Sequence, residues 1–234
     1  MAINPSREEW KTYKNVFSKF SIRLLDKLIS EDVFKGLESP INIGKEANIF
    51  TALTKKNKRV VVKIYRLESC NFNKMYEYIV QDTRYSNIKK NKRNIVFKWT
   101  QREYKNLMKA REVIKVPTPL AVKENILVME FIGTKEPAPM LKDKEPKNPE
   151  KFFNDIIENM RKLYKTGIIH GDLSKFNILN HNEKPVFIDF SQATLKESFN
   201  AEYLLKRDIK NVSGYFSGFF EINEENILKK IKGS

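Results

Sequence analysis

Three oxygen-bearing side chains lie close to short apolar runs in the last third of the chain: Asp172, Asn177 and Asp189. Four residues separate Asp172 from Asn177, and Asp189 directly follows the apolar run Val186-Phe187-Ile188. In phosphoryl transfer, one Asp accepts the proton of the attacking hydroxyl, while an Asn and a second Asp hold Mg²⁺ against the phosphates. The pattern therefore predicts Asp172 as the catalytic base and Asn177 and Asp189 as metal ligands.

A lysine and a glutamate earlier in the chain fit the same chemistry. Lys63 follows the β-branched run Val60-Val61-Val62, so we expect it at the end of a strand. A lysine in such a place can neutralise the α- and β-phosphates of a nucleotide, and a glutamate on the next helix can fix its position. Glu103 is the predicted partner, and Glu112 is a neighbouring alternative on the same stretch.

Two further segments are predicted to hold a nucleotide. Gly44-Lys45-Glu46-Ala47-Asn48 lies between two predicted strands, where a phosphate-covering loop belongs. It contains a single glycine, so its position in the chain, rather than its composition, supports this interpretation. Downstream, the backbone of Met129, Glu130 and Ile132 is predicted to contact the adenine ring, although an edge strand with a turn would look the same.

The elements that must position these residues suggest an α+β fold with two lobes. Apolar residues recur at helical spacing over 7–34, and a helix is predicted over roughly 97–111. The polar stretch 68–93 lacks clean periodicity, so we expect partial disorder there. The predicted organisation is an N-terminal helical segment over 1–39, a first lobe over 40–132 with a flexible loop at about 68–97, and a trimmed carboxyl-terminal lobe over 133–234.

Composition limits the partners and the compartment. Lys and Arg number 44 against 29 Asp and Glu, and the formal charge of +15 favours polyanionic partners such as nucleic acid. An AT-rich genome, which enriches Lys, Asn and Ile, is the alternative explanation. The single cysteine, Cys70, excludes an intramolecular disulfide. About 18 consecutive apolar residues are needed to span a membrane, and the sequence has no such run, so a cytoplasmic protein without membrane contact is expected.

Two other classes of enzyme fit poorly. Neither His170 nor His181 is accompanied by a Ser or Cys in a recognisable nucleophile elbow, which argues against a hydrolase of that type. A zinc site lacks ligands. We therefore interpret His170 as a residue that braces its loop through hydrogen bonds.

Taken together, the motifs resemble the RIO family of atypical protein kinases, and within it the type-one branch. The resemblance covers roughly 16–220. Its motifs are Gly44-Lys45-Glu46-Ala47-Asn48, Val62-Lys63-Ile64-Tyr65, Glu103-Tyr104-Lys105-Asn106-Leu107, Val116-Pro117-Thr118-Pro119, Leu127-Val128-Met129-Glu130-Phe131-Ile132-Gly133, Pro137-Ala138-Pro139-Met140-Leu141-Lys142-Asp143, His170-Gly171-Asp172 and Leu205-Lys206-Arg207-Asp208-Ile209.

The resemblance implies a two-lobed, protein-kinase-like fold that binds ATP with Mg²⁺ (or Mn²⁺) and phosphorylates serine, including its own. It implies that Lys63 and Glu103 form the ATP-positioning pair, and that Asp189 is also linked to an aspartyl-phosphate intermediate and an ATPase-like switch. The implied role is maturation of the small ribosomal subunit, with the precursor particle and its rRNA as partners. Ser69 and Ser86 are candidate autophosphorylation sites.

The chain departs from ordinary protein kinases in ways that the RIO pattern shares. Gly171 replaces the arginine expected before the catalytic Asp, Ser191 replaces the glycine of Asp-Phe-Gly, and no Ala-Pro-Glu follows Asp189. The usual peptide-docking segment is therefore missing from the sequence.

Three alternatives stay open at this point. The small kinase of the KEOPS tRNA-modification complex shares the His-Gly-Asp loop and similar length, although 137–143 and the insertion at 68–98 argue against it. Antibiotic and choline kinases share the loop but usually have a larger carboxyl-terminal lobe. A nucleotide-gated RNA- or ribosome-binding scaffold without phosphoryl transfer is the third.

Overall fold

The computed structural model describes residues 17–85, 88 and 90–233. The predicted helical residue Trp10 and the candidate phosphorylation site Ser86 lie outside this range. The chain divides into two compact units, which are described separately. Within the described range, the first unit comprises 17–80, 85–104 and 119–131, and the second comprises 81–84, 105–118 and 132–233.

An antiparallel five-stranded sheet forms the centre of the first unit. Its strands follow the order β1-β2-β3-β5-β4. The elements of this part of the chain are α1 (Lys19–Ser30), β1 (Leu37–Ile43), β2 (Ala47–Leu53), β3 (Arg59–Tyr65), α2 (Phe72–Val80), a 3₁₀ turn (Thr83–Tyr85), α3 (Lys92–Ala110), β4 (Pro119–Lys123) and β5 (Ile126–Glu130).

Helix α1 covers one face of this sheet. The Ser18 side chain accepts a hydrogen bond from the Ser21 N–H (3.2 Å) and so caps the first turn. Leu25 and Leu28 are buried in one cluster with apolar residues of the sheet, among them Phe50. The apolar stripe read from the sequence therefore packs on the sheet as helical periodicity requires.

The polar stretch predicted to be partly disordered contains regular structure. Helix α2 spans nine of its residues, and α3 begins at Lys92, five residues earlier than predicted. Met75 and Ile79, four residues apart, are buried in a cluster with Trp99. Phe72 and Tyr76 pack against the same cluster, so Phe72, Met75, Tyr76 and Ile79 follow the i, i+3, i+4, i+7 spacing of a helix. The period is thus present in the sequence, and the prediction of partial disorder overlooked it.

The second unit consists mainly of helices with two small two-stranded sheets. Strand β6 pairs with β9 and β7 pairs with β8, both antiparallel. Its remaining elements are α4 (Pro149–Lys165), β6 (Ile168–Ile169), β7 (Ile178–Asn180), β8 (Pro185–Phe187), a 3₁₀ turn (Phe190–Gln192), β9 (Thr194–Leu195), α5 (Ala201–Phe216) and α6 (Glu224–Lys232).

Helix α4 buries one apolar face in this unit. Asn148 caps its start and Pro149 occupies the first turn, where a missing N–H costs nothing. Phe153 packs against Phe216 of α5, with ring centroids 5.3 Å apart. Among the described residues, no helix is both long and apolar enough to span a membrane.

Candidate active site

The loop between β6 and β7 carries Asp172 and is held by a buried carboxylate of α5. The side chain of Asp208 accepts hydrogen bonds from the N–H groups of Gly171 (2.7 Å) and Leu173 (2.8 Å). Burial raises the pKa of Asp208 to about 7, although the two backbone hydrogen bonds and the nearby Arg207 oppose that rise. Sequence reasoning gave Asp208 no role. Its signal was an acidic residue among the apolar residues of the helix.

Gly171 is required by the shape of this loop. Its φ of +76° lies in the left-handed region, and a Cβ at this position would lie 2.9 Å from the backbone oxygen of Gln192. The departure from the arginine of ordinary kinases therefore reflects both backbone conformation and lack of space.

Replacing Gly171 by Ala should lower the melting temperature and the activity together. The left-handed conformation costs roughly 1–2 kcal/mol for a residue with a Cβ, and the contact with Gln192 forces the loop to move. Gly218→Ala is the matched control, since a Cβ there meets nothing within 4 Å. Thermal unfolding of both variants checks this, and equal melting temperatures would contradict it.

Asp172 itself is oriented on two sides. The Asn177 side-chain amide donates to the Asp172 backbone carbonyl (2.8 Å) and to its carboxylate (3.3 Å). Arg207 donates to the Gly171 carbonyl and lies 4.0 Å from the Asp172 carboxylate. The Asp172 side chain remains 43% exposed. A fixed but accessible carboxylate is what a proton acceptor for an incoming hydroxyl needs.

His170 braces the loop from within. Its Nε2 lies 3.0 Å from the Ile188 carbonyl oxygen, and its ring packs edge-on against Phe190 at 4.7 Å between centroids. The residue is buried. These contacts agree with the bracing role that we predicted for His170.

A short hairpin brings Asn177 and Asp189 towards each other. The Ile188 N–H donates to the Asn177 carbonyl (3.0 Å), which extends the β7–β8 ladder by one step at the end where both residues lie. The hairpin closes through a turn at Asn182 and Glu183, both with positive φ (55° and 60°). Such two-residue turns match the twist of antiparallel strands.

Asp189 is presented by a turn that is anchored at its backbone. The residue adopts a left-handed conformation (φ 61°), and its carboxylate accepts from the Ser191 N–H (3.4 Å). The buried side chain of Asn106 donates to the carbonyls of Phe190 (3.0 Å) and Ala193 (2.9 Å). Sequence reasoning did not assign Asn106 a role. The signal available in the sequence was a polar residue three positions after Glu103, on the same face of the predicted helix.

The donor atoms fit magnesium. Asn177 donates through its amide nitrogen, so its carbonyl oxygen is the atom that can face a cation beside the Asp189 carboxylate. Magnesium prefers oxygen ligands and is commonly held by one or two carboxylates together with substrate phosphates. Within the part of the chain that the structure describes, no cluster of three or more His, Cys, Asp or Glu side chains could hold a metal. A dedicated protein-only cage is thus not seen there.

In the first unit, Lys63 and Glu103 form a buried ion pair. The Lys63 ammonium lies 2.8 Å from one Glu103 carboxylate oxygen, and the Tyr65 hydroxyl donates to the other at 2.5 Å. Lys63 is 5% and Glu103 is 1% exposed. Glu112 lies exposed beyond the end of α3. The structure therefore selects Glu103 over Glu112 as the partner of Lys63.

Replacing Glu103 by Gln should raise the KM for ATP with little change in secondary structure. The neutral side chain keeps the shape but loses the charge that holds Lys63, and breaking a buried pair costs about 3–5 kcal/mol. Glu112→Gln is the matched control and should behave like the wild-type chain. Titration with ATP and far-ultraviolet circular dichroism check this, and an unchanged KM would contradict it.

The predicted phosphate-covering loop is a tight connection between β1 and β2. Backbone carbonyls of Lys45 and Glu46 accept from the Ser69 hydroxyl (2.8 Å) and the Arg66 N–H (2.9 Å). Gly44, Lys45 and Glu46 reach solvent to differing degrees, whereas Ala47 and Asn48 are buried at the start of β2. Phosphate contact by this loop stays a prediction.

The predicted adenine-contacting residues lie at and after the end of β5. Met129 and Glu130 pair with Pro119 and Val60 in the sheet. The carbonyl of Ile132, in the second unit, accepts from the Ala138 N–H (2.9 Å). Nucleotide contact by Met129, Glu130 and Ile132 stays a prediction.

The chain is similar to known proteins over most of its length. The model of the RIO domain matches residues 48–227. The RIO-type serine/threonine-protein kinase Rio1 of Methanocaldococcus jannaschii is 39% identical over 97% of this chain and 79% of its own length. The protein of the same name from Haloferax volcanii is 36% identical over 89% of this chain and 73% of its own length.

A solved structure shows the same fold. The Rio2 kinase–ADP/Mg²⁺–phosphoaspartate complex from Chaetomium thermophilum matches with a TM-score of 0.68 and 24% identity. The match covers 88% of this chain and 64% of that chain. The α+β fold is thus protein-kinase-like, as the sequence predicted. The chain belongs to the RIO family of atypical protein kinases.

Proposed function

We propose that this chain is an ATP- and Mg²⁺-dependent serine/threonine protein kinase that also hydrolyses ATP. The observation that carries the proposal is the accessible carboxylate of Asp172, oriented by Asn177 and Arg207 on a loop that Asp208 holds. Its accessibility sets it apart from the buried carboxylates among the described residues, Asp82, Glu103 and Asp208, which pair with an arginine, a lysine and backbone N–H groups respectively. The related archaeal proteins named Rio1 kinases support the same assignment.

The proposed mechanism relies on positioning and electrostatics. Asp172 accepts the proton of the acceptor hydroxyl while the oxygen of that hydroxyl bonds to the γ-phosphorus. The bond from that phosphorus to the β-γ bridging oxygen breaks, and ADP leaves. Lys63, fixed by Glu103, offsets charge on the α- and β-phosphates. Asn177 and Asp189 would hold Mg²⁺, which would further neutralise the phosphates.

Asp189 carries a second proposed role as a phosphate acceptor. The Rio2 structure from Chaetomium thermophilum contains a phosphoaspartate together with ADP and Mg²⁺. In this chain, the left-handed backbone at Asp189 and the hydrogen bonds from Asn106 fix the turn that bears the carboxylate. We propose that a transient phosphate on Asp189, lost to water, accounts for ATP hydrolysis.

Labelled ATP tests the proposal. The wild-type chain, incubated with γ-³²P-ATP and Mg²⁺, should acquire label on itself, and the stability of that label to acid and to base distinguishes phosphoserine from aspartyl phosphate. Asp189→Asn should abolish any aspartyl phosphate. ATP binding without transfer or phosphate release would contradict the kinase proposal and favour a nucleotide-gated scaffold.

We propose maturation of the small ribosomal subunit in the cytoplasm as the biological setting. The formal charge of +15 supports contact with rRNA through phosphate neutralisation and counterion release. The chain should co-sediment with small-subunit precursors at low salt and dissociate as salt rises. Equal binding to large-subunit particles would contradict this setting.

A further inference from the structure

Two large aromatic side chains lie exposed where the chain enters α5. Phe199 is fully exposed and Tyr203 is 67% exposed. A hydrophobic residue just before the N-cap of a helix often packs on the fourth helical residue. Here that residue, Leu204, is buried while Phe199 stays in solvent, so Phe199 gives the helix start no such support. Its exposure is therefore not explained by local structure.

Tyr203 is linked to the catalytic loop through one residue. Arg207, one helical turn later, lies 6.0 Å from the centre of the Tyr203 ring. The same guanidinium donates to the Gly171 carbonyl and lies 4.0 Å from the Asp172 carboxylate. The exposed ring of Tyr203 is therefore connected to the Asp172 carboxylate through the side chain of Arg207. Phe199 lies four residues before Tyr203, directly before the N-cap of the same helix.

The surroundings of this pair are basic. Glu202 already has two lysine partners, at 2.9 and 3.3 Å, which leaves it little charge to offer a ligand. With Glu202 and its partner Lys206 set aside, three exposed or half-exposed cations on the same stretch remain against one exposed glutamate, Glu197. These cations are Lys196, Arg207 and Lys210. Charge complementarity thus favours an acidic partner.

We propose that Phe199 and Tyr203 form the docking surface for the polypeptide that carries the phosphoacceptor hydroxyl, with acidic residues of that polypeptide facing the neighbouring lysines. The inference rests on the proposed kinase function. It also answers a question raised by the sequence: no Ala-Pro-Glu follows Asp189, so the usual peptide-docking segment is missing. Exposed aromatic residues at the start of the helix that supplies Arg207 can replace it, because aromatic side chains that a partner buries on binding commonly dominate the binding energy.

Phosphate transfer to dephosphorylated casein, an acidic protein, tests the inference against hydrolysis of ATP in the absence of casein. Phe199→Ser and Tyr203→Ser should each lower kcat/KM for casein by about tenfold, the loss expected for an aromatic anchor. The KM for ATP and the rate of hydrolysis should not change. Tyr203→Phe keeps the ring and its contact with Arg207, so it should retain transfer.

Phe219→Ser provides the control, because Phe219 is an exposed aromatic residue after the other end of α5. It should transfer phosphate to casein as the wild-type chain does. Unchanged transfer in the Phe199 and Tyr203 variants would overturn the inference. So would an equal loss of ATP hydrolysis, which indicates a structural role, or a selective loss of RNA binding, which identifies a nucleic-acid surface.

The wild-type chain separates failure of the inference from failure of the proposed function. If the wild-type chain labels casein and the Phe199 and Tyr203 variants label it equally, the docking surface is contradicted and the kinase function stands. A chain that neither hydrolyses nor transfers contradicts the kinase function and the docking surface with it.

Discussion

Asp172→Ala should lose phosphate transfer by about 10²-fold or more, the contribution expected of a positioned general base. The alanine removes the proton acceptor, and it also leaves the Asn177 amide with only the backbone carbonyl of residue 172 as a partner in this loop. ATP binding should persist, because the predicted contacts to the nucleotide come from other residues. Single-turnover transfer from γ-³²P-ATP, with ATP affinity measured separately, checks the prediction.

Asp155→Ala is the matched control for this experiment. Asp155 is a half-buried carboxylate of α4 in the same unit, and the mechanism gives it no role. It should transfer phosphate at the wild-type rate. Turnover of Asp172→Ala at the wild-type rate would show that another group accepts the proton.

Asp208→Ala should lower the free energy of unfolding by several kcal/mol. The substitution leaves the buried N–H groups of Gly171 and Leu173 without their acceptor, and each unsatisfied group costs about 1–3 kcal/mol. Because these hydrogen bonds hold the loop that bears Asp172, activity should fall as well. Asp208→Asn keeps one oxygen acceptor and should lose less. Urea unfolding of both variants checks the order, and equal stability of wild type and Asp208→Ala would contradict it.

Because the pKa of Asp208 is raised in the fold, we expect the free energy of unfolding to depend on pH. The pKa of Asp208 is about 7 in the fold against an ordinary value of 3.8. Between these values the folded chain binds more protons than the unfolded chain, so the contribution of Asp208 to stability falls as pH rises from about 4 to about 7. In Asp208→Asn this contribution is absent, so its stability relative to wild type should rise across that window. Parallel curves for the two proteins would contradict the prediction.

The candidate reacting residues could be predicted from the sequence more readily than the residues that hold their loops in place. Asp172, Asn177 and Lys63 could be proposed from the sequence because phosphoryl transfer constrains their side-chain types, their spacing and the strands beside them. Their roles stay predictions. Asp208 and Asn106 act through backbone groups of other segments, 37 and 84 residues away in the chain. Both residues lie in motifs that carry the family resemblance, but the sequence does not show which backbone groups they bind, because only the folded chain brings donor and acceptor together.

The sequence likewise predicted some elements of secondary structure and missed others. The β-branched run before Lys63 predicted a strand, and this run lies within β3. Helix α2 was missed although Phe72, Met75, Tyr76 and Ile79 recur at helical spacing. The surrounding lysines, arginines and asparagines masked this short period, and the cluster with Trp99 that buries it becomes visible only in the fold.

The β7–β8 hairpin also bears on where this protein can be engineered. The relation between Asn177 and Asp189 depends on the pairing of Ile178 with Phe187 and not on the length of the turn beyond it. Extra residues placed between Asn182 and Glu183 leave that register intact, whereas one residue inserted within either strand shifts the register and turns side chains to the opposite face. The turn is therefore a suitable position for a short affinity tag or a fluorescent peptide, remote in register from the proposed metal ligands.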